Sequence, residues 1–310
     1  MTVDRDIIII GGGPAGLTAG LYAGRSMLNV LMLEKLSPGG QVLTTHWVEN
    51  YPGFPGGVSG FDLMDKMKDQ ALEFGLTIQS GEVVSIQPGG PEQDYHRVVL
   101  TDGELTCRCL IITTGAQPRK LGLPNESAMV GKGVSYCGTC DGPFYRGMTV
   151  AAIGGGDTAL EESLFLTKFV SKVFLIHRRD EFRGTKVLRD RVFRNDKIEV
   201  IWDTVVTAIT GDDKVTGVAL KNVKTNEAST LPVDGVFPLI GVQPISDFVK
   251  GVVKLDDGGF ITTNESMETS VKGIFAAGDV RSKILRQIST AVGDGAIAAF
   301  MAEKYMEQLH

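Results

Sequence analysis

The 310-residue chain is poor in several things, and each shortage excludes something. It has four histidines, four cysteines and two tryptophans. The early apolar run Ile7–Ile10 falls far short of the roughly 18 residues of a membrane-spanning helix. It follows Asp4, Arg5 and Asp6 and leads into three glycines, which is the setting of a buried strand and not of a signal peptide. The chain therefore reads as cytoplasmic, with no membrane partner. A basic excess is also missing: 31 Lys and Arg against 37 Asp and Glu leave a net charge of −6. Bulk charge gives no support to nucleic-acid binding. At 43% hydrophobic and 22% charged residues, the chain is not disordered, and its length suits about two domains.

Glycine is abundant, at 39 residues, and it clusters where strands hand over to helices. Ile7–Ile10, then Gly11-Gly12-Gly13-Pro14-Ala15-Gly16, then a helical stretch from Leu17 to Arg25 and a strand over Asn29–Glu34 make one βαβ unit. The same order returns in the middle of the chain. Thr149–Ile153 is followed by Gly154-Gly155-Gly156-Asp157-Thr158-Ala159, a helix over Leu160–Phe169 and a strand over Val173–Ile176. Glu161 and Glu162 are read as first-turn acids that favour the helix dipole. Both halves end alike, in Gly115-Ala116-Gln117-Pro118 and Gly241-Val242-Gln243-Pro244, which read as crossovers that interrupt regular structure. The pattern predicts an α/β protein of two Rossmann-like, three-layer domains, one inserted into the other: residues 1–116 with 246–310, and residues 117–245.

Gly11-x-Gly13-x-x-Gly16 and Gly154-x-Gly156-x-x-Ala159 both follow a strand and open a helix. Such turns let backbone amides approach a pyrophosphate at a helix N-terminus. Glu34 stands 23 positions after Gly11, and His177 stands 23 positions after Gly154. A carboxylate there accepts bonds from a ribose and repels a 2′-phosphate. The second unit instead offers His177-Arg178-Arg179 and Arg183, and guanidinium groups suit a phosphate. The first turn is thus expected to take FAD or NAD, and the second NADPH. The plainer use of these arginines is pairing with neighbouring acids such as Asp180 and Glu181.

Cys137-Gly138-Thr139-Cys140 is a Cys-x-x-Cys followed by Asp141, which is able to carry a proton to or from the thiols. No histidine pairs with it at a ligand spacing, so no metal site is expected. Cys107 and Cys109 lie two apart before an apolar strand. Period two puts them on one face, as buried inert thiols. Two dinucleotide sites and a redox disulfide together make an electron path from nicotinamide through flavin to dithiol.

These residues resemble the low-molecular-weight, bacterial-type thioredoxin reductases, in class II of the pyridine nucleotide-disulfide oxidoreductases. The matching pieces are Gly11–Gly16, Glu49-Asn50-Tyr51-Pro52-Gly53, Cys137–Gly142, Gly154–Ala159, His177–Arg183, and Gly278-Asp279-Val280 with Arg286-Gln287. The resemblance implies FAD on the first domain, NADPH on the inserted one, and thioredoxin or a similar small disulfide protein as partner. It implies Cys140 nearest the flavin, Cys137 attacking the partner disulfide, and Asp141 as acid–base residue. Gly39, Gly40, Gln41, Asn50, Asp279 and Gln287 would contact the flavin cofactor. It further implies a homodimer and a rotation between two domain orientations, hinged near Gln117-Pro118 and Gln243-Pro244. Pro143 stands where members often carry an aromatic residue, while Phe144 and Tyr145 remain. A flavin dithiol oxidase on the same scaffold has little use for the three arginines. A ferredoxin–NADP reductase has none for the Cys-x-x-Cys. A sensor of the NADPH ratio would be reduced once and stop, where an enzyme cycles.

Overall fold

The computed structural model describes residues 3–45, 47–90 and 95–309; His46 and His310 lie outside them. The chain divides into two compact units, Met1–Gln117 with Gln243–His310, and Pro118–Val242.

The first unit opens with β1 (Arg5–Ile10), α1 (Pro14–Arg25) and β2 (Val30–Glu34). It continues through α2 (Gly60–Glu73), β3 (Thr77–Ser80), β4 (Val83–Gln87), β5 (His96–Leu100) and β6 (Gly103–Ile112). The chain leaves through β7 (Ala116–Pro118) and later returns through β15 (Val242–Pro244), β16 (Ile274–Ala276) and α6 (Ile288–Glu307). Among the described residues this makes a seven-stranded sheet in the order β3-β2-β1-β6-β5-β4, with β16 also on β6. β1, β2, β3, β6 and β16 are joined by parallel pairs, and β4 and β5 add an antiparallel edge. Alternation in β1 feeds two core layers. Ile7 and Ile9 pack with Leu17 and Ala19 of α1 and Ala298 of α6, while Ile8 and Ile10 pack with Leu31, Val98 and Ile261.

The second unit contains α3 (Gly138–Asp141), β8 (Thr149–Ile153), α4 (Asp157–Leu166), β9 (Lys172–Ile176), α5 (Lys186–Phe193) and β10 (Ile198–Ile201). β11 (Thr204–Thr210), β12 (Gly217–Asn222), β13 (Ala228–Pro232) and β14 (Gly235–Pro238) follow. β10, β9, β8 and β14 form a parallel sheet, and β11–β13 an antiparallel one. Val206, Ile209 and Val218 of the antiparallel sheet pack with Ala151 and Ile176 of the parallel sheet on one face. Leu160 and Leu166 of α4 pack on the other. Both units are therefore layered α/β folds around a parallel sheet.

Three local expectations need correction. The two crossovers do not interrupt regular structure: β7 and β15 pair as a two-stranded ribbon. Extended Gln-Pro segments suit this, since proline at the end of a short strand loses no ladder bond. α4 begins at Asp157, three residues earlier than expected, because Gly156 is already extended and serves as its N-cap. Glu161 and Glu162 consequently sit in its second turn. Cys107 and Cys109 are both fully buried, yet they join different core layers, Cys107 with Leu110 and Ile112, Cys109 with Ile111. Between them β6 exchanges partners along one edge: His96 pairs with Cys107, and β16 takes over at Leu110. Burial raises both thiols, Cys109 to about 12, so neither ionises near neutrality.

Candidate active site

In the first unit, Gly11 has φ 104°, and a Cβ there would lie 2.7 Å from the Thr113 carbonyl oxygen. A Cβ on Gly16 would lie 2.0 Å from the Gly11 carbonyl oxygen, so helix and strand meet at backbone distance. Gly13 is the N-cap of α1 and Pro14 its first residue; Ala15 is buried behind them. Among the described residues no side chain caps this helix, whereas Ser59 Oγ caps α2, accepting the Asp62 N–H at 3.0 Å, and Gln287 with Thr290 forms a capping box on α6. The first-turn amides of α1 are thus left to an outside acceptor. Glu34 holds the turn from the end of β2: Oε2 accepts the Gly12 N–H at 2.6 Å and Oε1 the Leu36 N–H at 2.8 Å.

Gly39 donates its N–H to the Gly12 carbonyl at 2.7 Å and leads, with Gly40 at φ 58°, into a short 3-10 turn that carries exposed Gln41. Asn50 Nδ2 donates to Gln287 Oε1 at 2.9 Å, which brings two of the expected flavin contacts together. At the end of β16, the Gly278 N–H is held by Asp294 Oδ2 at 3.0 Å. Asp294 also pairs with Arg281 at 2.9 Å and Lys283 at 2.7 Å. Asp279 follows, and its Oδ1 is buried with no hydrogen-bond partner among the described residues. Burial raises its pKa, against the pull of Lys283 and Arg286. Arg286 lies over the Phe260 ring, 4.0 Å from its centroid, and Nε is 3.4 Å from the Asp279 carbonyl oxygen. A buried acceptor without a donor, beside an uncapped helix, fits a bound group that brings both N–H donors and phosphates. The residues fit a flavin dinucleotide.

The second turn repeats the plan with other side chains. Gly156 caps α4 without a side-chain bond, and Asp157 Oδ1 accepts the Thr185 N–H at 2.7 Å. Asp157 and Thr158 are exposed, and Ala159 is buried. His177 does not face outward. It is 6% exposed, Nε2 lies 3.1 Å from the Glu181 carbonyl oxygen, and a Cβ on Gly155 would enter its ring. Burial lowers its pKa; bonds to the Glu181 and Gly154 backbone oppose this and Arg179 and Arg183 add to it, with a net shift downward that leaves the ring neutral near pH 7. Arg178, Arg179 and Arg183 are all exposed beyond it. The neighbouring carboxylates pair elsewhere, Asp180 with Lys224 at 2.9 Å and Glu181 with Arg189. Three exposed guanidinium groups at a dinucleotide turn fit a nicotinamide nucleotide bearing an additional phosphate.

Cys137 and Cys140 form a disulfide, with Cα atoms 5.3 Å apart. Cys137 is the N-cap of the four-residue α3, and its Sγ accepts the Cys140 N–H at 3.1 Å. Ser135 brackets the turn, its Oγ accepting the Cys137 N–H at 3.2 Å. Burial raises the Asp141 carboxyl, and a hydrogen bond from Ser135 opposes it. Burial pushes Tyr145 to about 12, with Asp141 adding to it. A carboxyl shifted upward, one residue from a disulfide, has the properties of a proton carrier. The sequence reads Glu162 as a helix-dipole acid, and its contact with the redox turn is an addition from the structure. It reaches from α4 to accept the Gly138 N–H, and its own pKa is raised by burial against the bonds from Gly138 and Thr139. Spacing alone held no sign of it, since the contact joins two elements 24 residues apart.

A family model for the pyridine nucleotide-disulphide oxidoreductases matches residues 5–295. Thioredoxin reductase of Treponema pallidum is 45% identical over 309 residues, covering 100% of this chain and 99% of the relative. The crystal structure of thioredoxin reductase from Streptococcus pyogenes superposes with a TM-score of 0.93 at 46% identity, over 98% of each chain. That of Lactococcus lactis thioredoxin reductase in its FR conformation gives 0.68 at 43% identity, over 98% of this chain and 100% of the other. With a Cys-x-x-Cys disulfide and two dinucleotide turns in one chain, it belongs to the pyridine nucleotide-disulphide oxidoreductase family, among the thioredoxin reductases.

Proposed function

We propose that the chain catalyses NADPH-dependent reduction of the disulfide of thioredoxin, or of a similar small redox protein, through Cys137 and Cys140. FAD binds the first unit, at Gly11, Gly13–Gly16, Glu34, Gly39–Gln41, Asn50, Gly278, Asp279, Arg286 and Gln287. NADPH binds the second, at Gly154, Gly156–Thr158, Arg178, Arg179 and Arg183. The observation that carries this reading is the closed Cys137–Cys140 disulfide next to a carboxyl whose pKa burial has raised. The flavin, when bound, accepts hydride from the nicotinamide and delivers two electrons to a disulfide.

The chain's own residues do the remaining work. Asp279 Oδ1 offers a buried acceptor to a donor on the cofactor, and Glu34 places negative charge where a 2′-phosphate would otherwise fit. The three arginines take that phosphate in the second unit, and His177 supports the glycine turn from beneath. Asp141 supplies a proton to the departing sulfur when the disulfide opens and takes one back when Cys137 attacks the partner. The half-reactions alternate by rotation about the β7–β15 ribbon. Solved relatives of nearly equal identity that fit this chain at TM-scores of 0.93 and 0.68 support such movement within the family. The protein acts as a cytoplasmic homodimer.

The test is steady-state oxidation of NADPH and NADH side by side, with thioredoxin as acceptor. NADPH-preferring turnover that requires thioredoxin is the expected result. Flavin reduction without thioredoxin turnover overturns the choice of partner. Reduction once, without cycling, overturns the enzyme reading itself.

A further inference from the structure

The redox turn is held by a residue outside it. α3 has only four residues, too few to be stable from its own hydrogen bonds. Its first amides are claimed by two acceptors. Cys137 Sγ takes the Cys140 N–H, and the Glu162 carboxylate takes that of Gly138. Gly138 is buried against this carboxylate, and a Cβ there would lie 2.6 Å from Glu162 Oε2. Glu162 belongs to the helix that opens at the second glycine turn, so one rigid element carries both the nucleotide turn and the support of the disulfide.

From this geometry we infer that Glu162 is a positioning residue for the redox pair, which holds the Cys-x-x-Cys turn and keeps the Cys137 thiol protonated until a partner disulfide arrives. This rests on the function proposed above. Amides at the start of a helical turn stabilise a thiolate at its N-cap. Glu162 diverts the Gly138 N–H from Cys137 and adds a negative charge of its own. Both effects disfavour the thiolate and raise the pKa at which the reduced pair loses a proton. Charged groups that bear on Glu162 come from both elements, Glu161 on its own helix and Asp141 on the disulfide turn, and both are acidic. Tyr145, packed near Asp141, is neutral throughout the range of interest. Of these acids, Glu162 is the one bonded to the turn itself.

The redox step balances simply. Reduction breaks the S–S bond with two electrons, which NADPH supplies through the flavin or dithiothreitol supplies directly by closing its own disulfide. The sulfurs take up two protons when both become thiols and one when Cys137 stays a thiolate. Glu162 sets the pH at which the count changes from two to one.

The experiment reduces the holoenzyme with dithiothreitol, removes the reductant, and follows alkylation of Cys137 and Cys140 by iodoacetamide across the pH range in which thiols titrate. Glu162→Gln keeps an acceptor oxygen but no charge. Its alkylation at neutral pH is expected to quicken about three- to tenfold, with the pH midpoint moved down. The disulfide also becomes easier to reduce in a dithiothreitol redox buffer, because the reduced form is stabilised. Glu162→Asp keeps the charge at shorter reach and shifts the profile the same way by less. Glu161→Gln, on the same helix but exposed, leaves the profile in place. Unchanged profiles in both Glu162 variants, or an equal shift in Glu161→Gln, overturn the inference. The measurement needs neither NADPH nor thioredoxin, so failure of turnover with thioredoxin would refute the proposed function and leave this result to be read independently.

Discussion

At the first glycine turn the residue 23 positions on is Glu34, and its carboxylate accepts the Gly12 N–H. At the second it is His177, whose neutral ring lies against Gly155. Both side chains turn inward and brace the middle glycine, one by a hydrogen bond and the other by packing. The difference lies in what each leaves at the surface. Glu34 leaves a negative charge beside the turn. His177 leaves no charge, and the exposed Arg178, Arg179 and Arg183 define the second site instead. The lesson is that the position at the end of the second strand acts first as a brace. Selectivity between nucleotides follows from whether the brace is charged and from the residues beyond it.

A second contrast lies behind the turns. Gly16 has no room for a methyl group, while Ala159 carries one at the matching position. The most severe way to break the comparison is therefore Gly16→Ala. Its Cβ would meet backbone at 2.0 Å, so strand and helix must separate. The expected cost is about 2–4 kcal/mol, with the flavin lost. Ala159→Gly costs only about 1 kcal/mol through helix propensity. Thermal melts and flavin content after purification check both, and a stable flavin-bearing Gly16→Ala protein would show that the two turns differ for some other reason. The next largest effect is expected on exchanging the arginines. Arg178→Ala with Arg179→Ala removes charge-assisted bonds to a phosphate and raises the NADPH KM about 10- to 100-fold, leaving NADH unchanged. Equal changes for both nucleotides would assign the arginines to folding. Glu34→Gln is milder, because an amide oxygen still accepts the Gly12 N–H. Flavin affinity, read by equilibrium dialysis, should fall about three- to tenfold, the weight of one charged hydrogen bond over a neutral one. Unaltered affinity would mean that Glu34 serves the turn and not the ligand.

What was legible in the sequence was local. The glycine turns, the strands before them and the Cys-x-x-Cys could be read because backbone sterics and short spacings dictate them. The inward orientation of His177 could not, since it depends on the space left by Gly155 and on the Glu181 carbonyl. Glu162 reads locally as a helix-dipole acid when α4 is expected to start one turn later than Asp157, and its reach to α3 joins residues 24 apart, which leaves no local signature. Cys107 and Cys109 obey period two only while a strand keeps its neighbours, and β6 does not keep them. Asp279 and Asn50 were legible only through resemblance. Their roles depend on a buried, unpartnered oxygen and on a bond across 237 residues, neither of which leaves a mark in local sequence.

The smallest expected effect compares the two units through one buried histidine in each. His96 in the first is 4% exposed, its Nδ1 accepts the Gly89 N–H at 3.2 Å, and burial lowers its pKa to about 4. His177 in the second is lowered by burial too, against its bonds to the Glu181 and Gly154 backbone and with Arg179 and Arg183 adding repulsion. Both rings stay neutral when folded at a pH where an unfolded histidine, near 6.5, already binds a proton. The unfolded chain then takes up more protons as the pH falls, so each histidine makes the protein less stable below about 6.5. For His96 the loss continues down to about 4. Thermal melts of wild type, His96→Gln and His177→Gln over this range isolate the two contributions, because the carboxylates are common to all three proteins. Each variant should flatten the decline of its own unit, and separate transitions should be fitted if the units melt separately. A His177→Gln protein that declines as steeply as wild type would mean that this ring charges freely in the folded state. The brace under the second glycine turn would then carry charge like Glu34, and the contrast between the turns would rest on its sign alone.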